Sequence, residues 1–384
     1  MQYVRLGEVI QSAKSERCGD DNYPVLSITK SDGVILQSEK FKKRIASQDT
    51  SLYKVVRFGQ LVQGIHIDEA NFGIQDIVNL GIVSPAYKIW DVNATIIHPK
   101  YLEEVLRSPR SIQYYSSNFN GSIKRRERLS EKDFLAMEIP CPLLEEQNYV
   151  LSVIRKLRGI ISVRKQELLK LDELIKARFV ELFGTYPANE RSWPTGTIRE
   201  LVTEVRYGSS RKAADGNKGK YPYLRMNNIT YGGELDLTDT KTIDVPDDEL
   251  DKCTVRRGDL LFNRTNSKEL VGKTCVYNRD ETMVLAGFVV RVRLNGRALP
   301  EFVAAFMNTD FSKQMLLGMC KAAIGQANIN AQELQNIGIY IPPVRMQKEF
   351  ASFKEQVDKS KVAVQKALDE AQLLFDSLMQ QYFG

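Results

Sequence analysis

Side chains able to contact nucleic acid cluster in four polar segments: SEKFKKR, GSIKRRERLS, YGSSRKAADGNKGKYPYLRMNN and FNRTNSKELVGK. Lysine and arginine neutralise phosphates, while arginine, asparagine and serine also hydrogen-bond to base edges. The segments occur in both halves of the chain and have the composition of loops, which favours a DNA-binding surface. The predicted DNA-binding residues are Lys42, Lys43, Arg44, Lys124, Arg125, Arg126, Ser209, Ser210, Arg211, Arg225, Asn227, Asn263, Arg264, Asn266 and Lys268.

For any one of these segments, the alternative is a solvated surface loop without a ligand. Four tyrosines near the segments could add contacts, although packing is the simpler explanation for each: Tyr114, Tyr115, Tyr207 and Tyr231. Lysine is expected to position phosphates, and arginine and asparagine to contact bases.

Residue patterns that would indicate catalysis are absent from the sequence. His66 lies near Asp68 and Glu69, but without a cysteine at zinc spacing this is a weak metal match. The VGKT string at 271–274 lacks the earlier glycine of a phosphate loop, whose position is Ser267. There is no G-x-S-x-G, no GxGxxG, no aromatic-ended Pro-Pro tetrapeptide and no nuclease carboxylate cluster. We therefore expect a binding protein that holds no metal or cofactor of its own.

Composition sets broad limits on the class of protein. The 384 residues carry 54 Lys and Arg against 48 Asp and Glu, a net charge of +6 that permits a polyanionic partner without requiring one. The longest nearly apolar run, 283–290, is too short to span a bilayer. Five widely spaced cysteines fit reduced thiols. These features predict a cytoplasmic protein with no membrane partner.

The sequence repeats itself at a displacement of about 200 residues. Tyr23-Pro24 recurs as Tyr221-Pro222, and FGQL at 58–61 recurs as RGDL at 257–260. IPCP at 139–142, followed by Gln147, recurs as IPP at 341–343, followed by Gln347. Phe183-Gly184 recurs as Phe383-Gly384. The repeat predicts two similar domains related by a pseudo-twofold axis.

Each half ends in a segment with a seven-residue apolar period, typical of paired helices. Two such helices of roughly 38 residues, in matching register, are expected to pair with each other. The alternative is that each helix packs on its own domain. The predicted pairing residues are Ile154, Leu157, Ile161, Leu168, Leu171, Ile175, Phe350, Val357, Val364, Leu368, Ala371, Phe375 and Leu378.

Strand-rich runs alternate irregularly with helical stretches at Tyr101–Tyr115 and Leu299–Cys320, which predicts an α+β fold. The predicted architecture is two similar globular α/β domains held apart by two long antiparallel helices. The predicted boundaries are 1–144 for the first domain, 145–183 for the first helix, 184–197 for a linker, 198–343 for the second domain and 344–384 for the second helix.

The sequence resembles the specificity subunit of type I restriction-modification systems, and the resemblance covers the whole chain. RGDLLFNRTNSKELVGKT and GQANINAQELQNIGIYIPPVRMQ carry the resemblance in the second half, and VRLGEVI, FGQLVQG, GIVSPAYKIW and GSIKRRERLSEKDFLAMEIPCPLLEEQ carry it in the first. The first half has Gly64-Ile65-His66-Ile67 where an NRTNS string would stand. Residues predicted to contact bases in one half therefore do not identify the base-contacting residues of the other half.

The resemblance implies a non-catalytic DNA-recognition subunit. Each domain would be a target recognition domain that reads one half of a bipartite, asymmetric site in double-stranded DNA, and the helices would fix the spacing. Two modification subunits would bind the chain and methylate adenine, and restriction subunits would join in the full complex. S-adenosylmethionine, ATP and Mg would bind to those partners. The alternatives are a duplicated protein-protein scaffold, or a nuclease or methyltransferase with degenerate motifs.

Overall fold

A computed structural model describes residues 2–30, 32–40, 49–118, 129–214, 216, 218–320 and 327–384, excepting the side chains of Lys40 and Asp68. The chain divides into two compact units. Unit 1 contains residues 1–165 together with 365–384, and unit 2 contains residues 166–364. Each unit therefore includes chain from both halves of the repeat.

Unit 1 combines short strands with helices. Its strands are β1 (Tyr3–Arg5), β2 (Ile10–Ser12), β3 (Leu26–Thr29), β4 (Gly33–Leu36), β5 (Lys54–Arg57), β6 (Leu61–Gln63), β7 (Phe72–Ile74), β8 (Leu80–Val83), β9 (Lys88–Val92) and β10 (Glu138–Pro140). Its helices are α1 (Gln37–Lys40), α2 (Pro99–Leu106), α3 (Pro109–Ser117), α4 (Glu131–Ala136) and the first part of α5 (Leu144–Phe183). Short 3₁₀ turns occur at Leu6–Glu8 and Ile67–Glu69.

Unit 2 has the corresponding elements. Its strands are β11 (Thr195–Thr197), β12 (Val202–Tyr207), β13 (Tyr221–Leu224), β14 (Lys241–Ile243), β15 (Thr254–Val255), β16 (Leu260–Asn263), β17 (Thr265–Asn266), β18 (Thr274–Val276), β19 (Met283–Leu285), β20 (Val289–Leu294), β21 (Ala327–Asn328) and β22 (Gly338–Tyr340). Its helices are α6 (Asp247–Cys253), α7 (Pro300–Met307), α8 (Asp310–Met319), α9 (Ala331–Gln335) and the first part of α10 (Val344–Phe383). Short 3₁₀ turns occur at Ile198–Leu201 and Met226–Asn228.

The central sheets of the two units have equivalent strand orders. In unit 1 the order is β2-β9-β6-β7, and in unit 2 it is β12-β20-β16-β18, with all neighbouring strands antiparallel. A parallel backbone pairing outside the central sheet also recurs in each unit. Val25 pairs with Ile82 in unit 1, and Tyr223 pairs with Val284 in unit 2. The sequence repeat is therefore a repeat of strand pairing.

The FGQL and RGDL motifs form the same turn before β6 and β16. Gly59 and Gly258 have φ values of 87° and 90°, a left-handed conformation that favours glycine. The next side chain then closes the turn, because Gln60 Oε1 accepts from Arg57 N at 2.7 Å and Asp259 Oδ2 accepts from Arg256 N at 2.9 Å. The turn explains why glycine followed by a side-chain acceptor appears in both halves.

Helices α5 and α10 are 40 residues each, about 60 Å at 1.5 Å per residue, and the division between the units falls inside both. In unit 2 they run antiparallel, since Phe179 contacts Phe350 with ring centroids 5.3 Å apart and Asp172 binds Lys361 at 2.6 Å. In unit 1 the guanidinium of Arg158 lies 5.5 Å from the ring centroid of Phe375. The predicted α+β fold with two long helices is confirmed.

The apolar heptad rows lie on the inner faces of both helices. Val163, Leu169 and Leu373, which lie outside the rows, are 59%, 64% and 72% exposed. The predicted pairing positions are all buried or half-buried: Ile154, Leu157, Ile161, Phe350, Val357, Val364 and Leu368 are buried, and Leu168, Leu171, Ile175, Ala371, Phe375 and Leu378 are half-buried.

The last turn of each long helix completes the core of a unit. Phe383, at the end of α10, is 1% exposed in the core of unit 1, where its ring lies 5.3 Å from that of Tyr101 in α2. Phe183, at the end of α5, is fully buried in the core of unit 2, 4.9 Å from Phe302 in α7. Tyr101 and Phe302 are equivalent positions of the repeat. Each core is thus closed by a phenylalanine from the other half of the chain.

A buried glutamine joins the first turn of each long helix to its unit. In unit 1, Gln147 Oε1 accepts from the backbone N–H of His98 at 2.7 Å, and its Nε2 donates to the carbonyl of Pro142 at 2.7 Å. In unit 2, Gln347 makes the same bonds to Leu299 N–H and to the Pro342 carbonyl, both at 2.7 Å. Because both amides are fully buried, these bonds satisfy groups that would otherwise be costly to desolvate.

The helical stretches predicted at Tyr101–Tyr115 and Leu299–Cys320 are each divided into two helices. Ser108 caps α3 by accepting from Ser111 N, and Pro109 occupies the first helical position. Thr309 caps α8 by accepting from Ser312 N. Both stretches are therefore helical, and a cap residue within each one separates the first helix from the next.

Residues 184–197, predicted to be a linker, are packed within unit 2. The ring of Tyr186 lies 5.3 Å from Phe306 and 5.8 Å from Tyr340, and Trp193 Nε1 donates to the Phe183 carbonyl at 3.1 Å. Within the described ranges, no helix combines the length and apolar character needed to cross a membrane.

Replacing Gln347 with alanine should lower the free energy of unfolding by about 2 kcal/mol, because Leu299 N–H and the Pro342 carbonyl lose their buried partner. Urea unfolding of the full chain, followed by circular dichroism, measures the change. Gln356→Ala is the matched control, since this glutamine is exposed on the same helix. Equal stability of the two variants would contradict the anchoring role of Gln347.

Candidate nucleic-acid interface

The predicted DNA-binding residues of the first half lie outside the described residues. Nothing in the structure therefore describes Lys42, Lys43, Arg44, Lys124, Arg125 or Arg126. The predicted residues of the second half all belong to unit 2, and the candidate interface that the structure describes therefore lies in unit 2.

Arg264 projects from a backbone that is held on both sides. It follows β16, its N–H donates to the Phe288 carbonyl at 2.9 Å, and its own carbonyl accepts from Ile329 N–H at 2.9 Å. Its guanidinium carbon lies 5.0 Å from the ring centroid of Tyr207, and Nη1 reaches the Gly287 carbonyl at 3.4 Å. Hydrogen bonds to Phe288 and Ile329 therefore hold the backbone of Arg264 in place.

The loop after β12 lies against the same strand ends. Ser209 pairs with Ala286 as a parallel bridge, and Gly287 N–H donates to the Ser209 carbonyl at 2.7 Å. Gly208 allows this approach, because a Cβ atom there would lie 2.3 Å from the Ala286 carbonyl oxygen. Ser209 is buried and Ser210 is exposed, so of the two predicted serines Ser210 faces solvent.

The NRTNS string divides into buried and solvent-facing side chains. Asn263 is fully buried, with Oδ1 accepting from Thr265 N–H at 3.3 Å and Nδ2 without a partner in the described structure. Asn266 is half-buried in β17, which pairs with β21, and Lys268 is exposed. Arg264, Asn266 and Lys268 therefore reach solvent from one short segment, whereas Asn263 shapes the turn. A base contact by Asn263 stays a prediction.

Two half-exposed aromatic side chains flank this segment: Tyr207 is 45% exposed and Phe288 is 48% exposed. Phe288 was missed by sequence reasoning, because it lies in the apolar run MVLAGFVV, which predicts a buried strand. The glycine before it is the available signal, since Gly287 marks the end of β19 and a turn. We name the group formed by Tyr207, Ser210, Arg264, Asn266, Lys268 and Phe288 the Arg264 surface.

Arg211 and Arg225 are occupied by carboxylates. Arg211 makes two hydrogen bonds to Glu249, at 2.7 and 3.1 Å, and these bonds lower the pKa of the Glu249 carboxyl. Arg225 binds the carboxylate of Asp239 at 2.9 Å. Asn227, two residues later, is exposed. Both arginines must therefore exchange an intramolecular acceptor for any ligand, whereas no described carboxylate lies within 4.0 Å of Arg264.

Unit 1 presents different chemistry at the equivalent position. Gly64 matches Asn263 in register, because Gly64 N–H donates to the Asn71 carbonyl at 2.7 Å and Asn263 N–H donates to the Lys273 carbonyl at 2.9 Å. The next residue in unit 1 is Ile65, which is 58% exposed and stands where Arg264 stands. An exposed isoleucine offers an apolar contact in place of a guanidinium.

The VGKT string has a structural use. Lys273 is buried, its Nζ donates to the Met226 carbonyl at 2.8 Å, and burial lowers its pKa. Its ammonium group is therefore held by the backbone. In the part of the chain that is described, no three His, Cys, Asp or Glu side chains are grouped to hold a metal ion.

The Arg264 surface has the chemistry of a nucleic-acid contact. A guanidinium without an acidic partner donates to guanine O6 and N7, an asparagine amide pairs with adenine, and lysine neutralises phosphate. The exposed ring of Phe288 can supply apolar contacts to bases. Because the side chains project from strand ends of a packed sheet, they are positioned before any ligand binds.

Comparison with known proteins gives a consistent set of matches. A family model described as the type I restriction modification DNA specificity domain matches residues 190–371. The chain is 23% identical over 262 residues to the EcoKI specificity subunit of Escherichia coli (strain K12), covering 64% of this chain and 56% of that protein. It is 24% identical over 196 residues to a putative MjaX specificity subunit of Methanocaldococcus jannaschii, covering 50% and 45%. The matches thus span roughly half the length of these relatives.

Solved structures share the fold over almost their whole length. A type I restriction-modification system S subunit from M. genitalium superposes with a TM-score of 0.57 at 12% identity, covering 100% of this chain and 96% of that one. A chain from a study of complex assembly and conformational transition of the type I R-M system gives 0.58 at 18% identity, covering 100% and 97%.

Replacing Glu249 with glutamine should strengthen binding of duplex DNA by about two- to fivefold, because Arg211 is released from an exposed ion pair of modest strength. Fluorescence anisotropy at fixed salt measures the change. Asp280→Asn is the matched control. Asp280 accepts two hydrogen bonds from Arg257, which precedes the first residue of β16, whereas Arg264 follows its last residue. If both variants bind DNA equally, Arg211 does not belong to the interface.

Proposed function

We propose that this chain, whose residues 190–371 belong to the family of type I restriction modification DNA specificity domains, is the DNA-recognition subunit of such a system. In this proposal each unit reads one half of a bipartite site in double-stranded DNA. The chain directs methylation of adenine, or cleavage, by partner subunits and performs no catalysis itself. It acts in the cytoplasm.

The Arg264 surface is the observation that carries the proposal. Arg264 has no described acidic partner, its backbone is bonded to Phe288 and Ile329, and its guanidinium faces the ring of Tyr207. Because no described carboxylate pairs with Arg264, an anionic or acceptor-rich ligand can bind it without displacing an ion-pair partner. Duplex DNA supplies both phosphates and the base acceptors that arginine recognises.

Within this surface, different side chains have different proposed roles. Lys268 is exposed and binds phosphate, which contributes affinity for any sequence. Arg264 and Asn266 reach from strand ends and contact base edges, which contributes sequence preference. Arg211 and Arg225 join after releasing Glu249 and Asp239, so their contacts depend on the exchange of one acceptor for another.

The difference between the units predicts an asymmetric site. Ile65 in unit 1 stands at the position of Arg264 in unit 2, and both are at the surface. An isoleucine contacts the methyl group of thymine, whereas arginine contacts guanine. Equivalent strand ends therefore select different bases. The same positions would carry the same residue if the two half-sites were identical.

The proposed partners and cofactors are those that the resemblance to type I specificity subunits implies. Two modification subunits are proposed to bind the chain and to hold S-adenosylmethionine, with the adenine flipped into their own active sites. Restriction subunits complete the assembly and use ATP and Mg. The spacer between the half-sites is proposed to follow from the lengths of α5 and α10.

Co-expression of the chain with its modification subunits, followed by mapping of methylated adenines on a plasmid, tests the function. We expect methylation at a split, asymmetric motif that disappears when this chain is omitted. Methylation by the partners alone at the same motif would contradict the proposal, as would methylation by this chain alone.

Two single variants separate the proposed roles within the interface. Lys268→Ala in the assembled methyltransferase should weaken binding to all duplexes and reduce the slope of log affinity against log salt by about one unit. Arg264→Ala should instead relax one base position, with a loss of discrimination of about 1–3 kcal/mol. Competition binding against duplexes substituted at each position provides both readouts.

Arg257→Ala is the control for both variants, because Arg257 is a surface arginine bound to Asp280. It should leave the preference at every base position as in the unmodified protein. If Arg264→Ala behaves like Arg257→Ala, then Arg264 does not read DNA.

A further inference from the structure

We infer that Tyr207 is a positioning residue for base recognition, acting through Arg264 rather than by contacting DNA. The inference rests on the proposed function, and it assigns to an exposed tyrosine the role of fixing the plane of a reading guanidinium. Three features of the structure support it: how the tyrosine ring is held, how weakly the guanidinium is otherwise held, and how the neighbouring arginines differ.

The Tyr207 ring is fixed at both ends. Its backbone is the last residue of β12, opposite Val290 of β20. Its hydroxyl oxygen accepts a hydrogen bond from the backbone N–H of Ala331, at the start of α9, at 3.0 Å. A side chain that is 45% exposed gains little from burial, so these two attachments are what set its orientation.

Arg264 has few other restraints on its guanidinium. Nη1 reaches the Gly287 carbonyl at 3.4 Å, the outer limit for a hydrogen bond, and Nε is buried without a partner among the described residues. The face of the Tyr207 ring, with its centroid 5.0 Å from Cζ, is therefore the principal surface against which the guanidinium rests. A cation–π contact uses none of the N–H donors of the guanidinium, so Nη2 of Arg264 has no protein acceptor among the described residues and remains for an acceptor such as guanine.

The other arginines of the candidate interface are oriented differently. Carboxylates hold Arg211 through Nε and Nη2 and Arg225 through Nη2, so some of the donors of each are already engaged. A tyrosine face orients a guanidinium without consuming its donors. A reading arginine that must be ready before DNA arrives is therefore better served by Tyr207 than by an acid.

The test uses the assembled methyltransferase and duplexes substituted at each position of the mapped site. Tyr207→Leu should reduce discrimination at the base pair read by Arg264 by about 3- to 30-fold, the range expected for loss of a cation–π contact. The salt slope should not change, because no phosphate contact is removed. Tyr207→Phe keeps the ring face but loses the hydroxyl bond to Ala331, so its loss of discrimination should be clearly smaller than that of Tyr207→Leu.

A double variant distinguishes positioning from direct contact. If Tyr207 acts through Arg264, Tyr207→Leu should add nothing to Arg264→Ala at that base pair. A further loss in the double variant, or a uniform loss at all positions from Tyr207→Leu, would overturn the inference.

The reading role of Arg264 and the positioning role of Tyr207 are tested by different variants. If Arg264→Ala relaxes one position and Tyr207→Leu relaxes none, the positioning role is wrong and the proposed function stands. If Arg264→Ala relaxes no position, both the reading role of Arg264 and the positioning role of Tyr207 are wrong. Thermal unfolding of each variant checks that the fold is retained.

Discussion

Two phenylalanines at the ends of the long helices complete the hydrophobic cores of the two units, and the other structural features follow from this closure. Phe183 and Phe383 end the two long helices, and each is buried among residues contributed by the other half of the chain. Burial of an aromatic ring of this size is among the largest single contributions to a domain core. Neither half can therefore form its complete core from its own contiguous sequence. The Gln147 and Gln347 anchors act at the opposite ends of the same helices.

The candidate interface inherits its order from these cores. Strands β12, β16 and β20 belong to the sheet that packs on the core closed by Phe183, and the Arg264 surface is formed where these strands end. The side chains of the Arg264 surface thus project from fixed backbone, and the residues at the equivalent positions of unit 1 differ from them. Strand pairing is repeated at Gly64 and Asn263, yet the following residue is isoleucine in one unit and arginine in the other. A common scaffold with unlike surface residues is what recognition of two different half-sites requires.

Sequence reasoning predicted the features that leave a periodic or repeated signal. The heptad rows, the 200-residue displacement and the recurrence of FGQL as RGDL are visible in the sequence without knowledge of tertiary contacts. The ion pairs of Arg211 with Glu249 and of Arg225 with Asp239 join residues distant in sequence, so no spacing rule indicates them. The same is true of the burial of Asn263 and the exposure of Phe288, which depend on where a strand ends. The helical stretches at Tyr101–Tyr115 and Leu299–Cys320 are present, but their division into two helices each was not predicted, because helical composition continues across the cap residue.

Amide hydrogen exchange on the Phe383→Ala variant tests whether the end of α10 closes the core of unit 1. Removing this ring leaves a cavity beside Tyr101, which typically costs about 3–5 kcal/mol in a core. We expect protection to fall in α2, at Pro99–Leu106, and to persist in α7, at Pro300–Met307. Unchanged protection in α2, or loss confined to α7, would contradict the conclusion that the end of the second helix closes the core of unit 1.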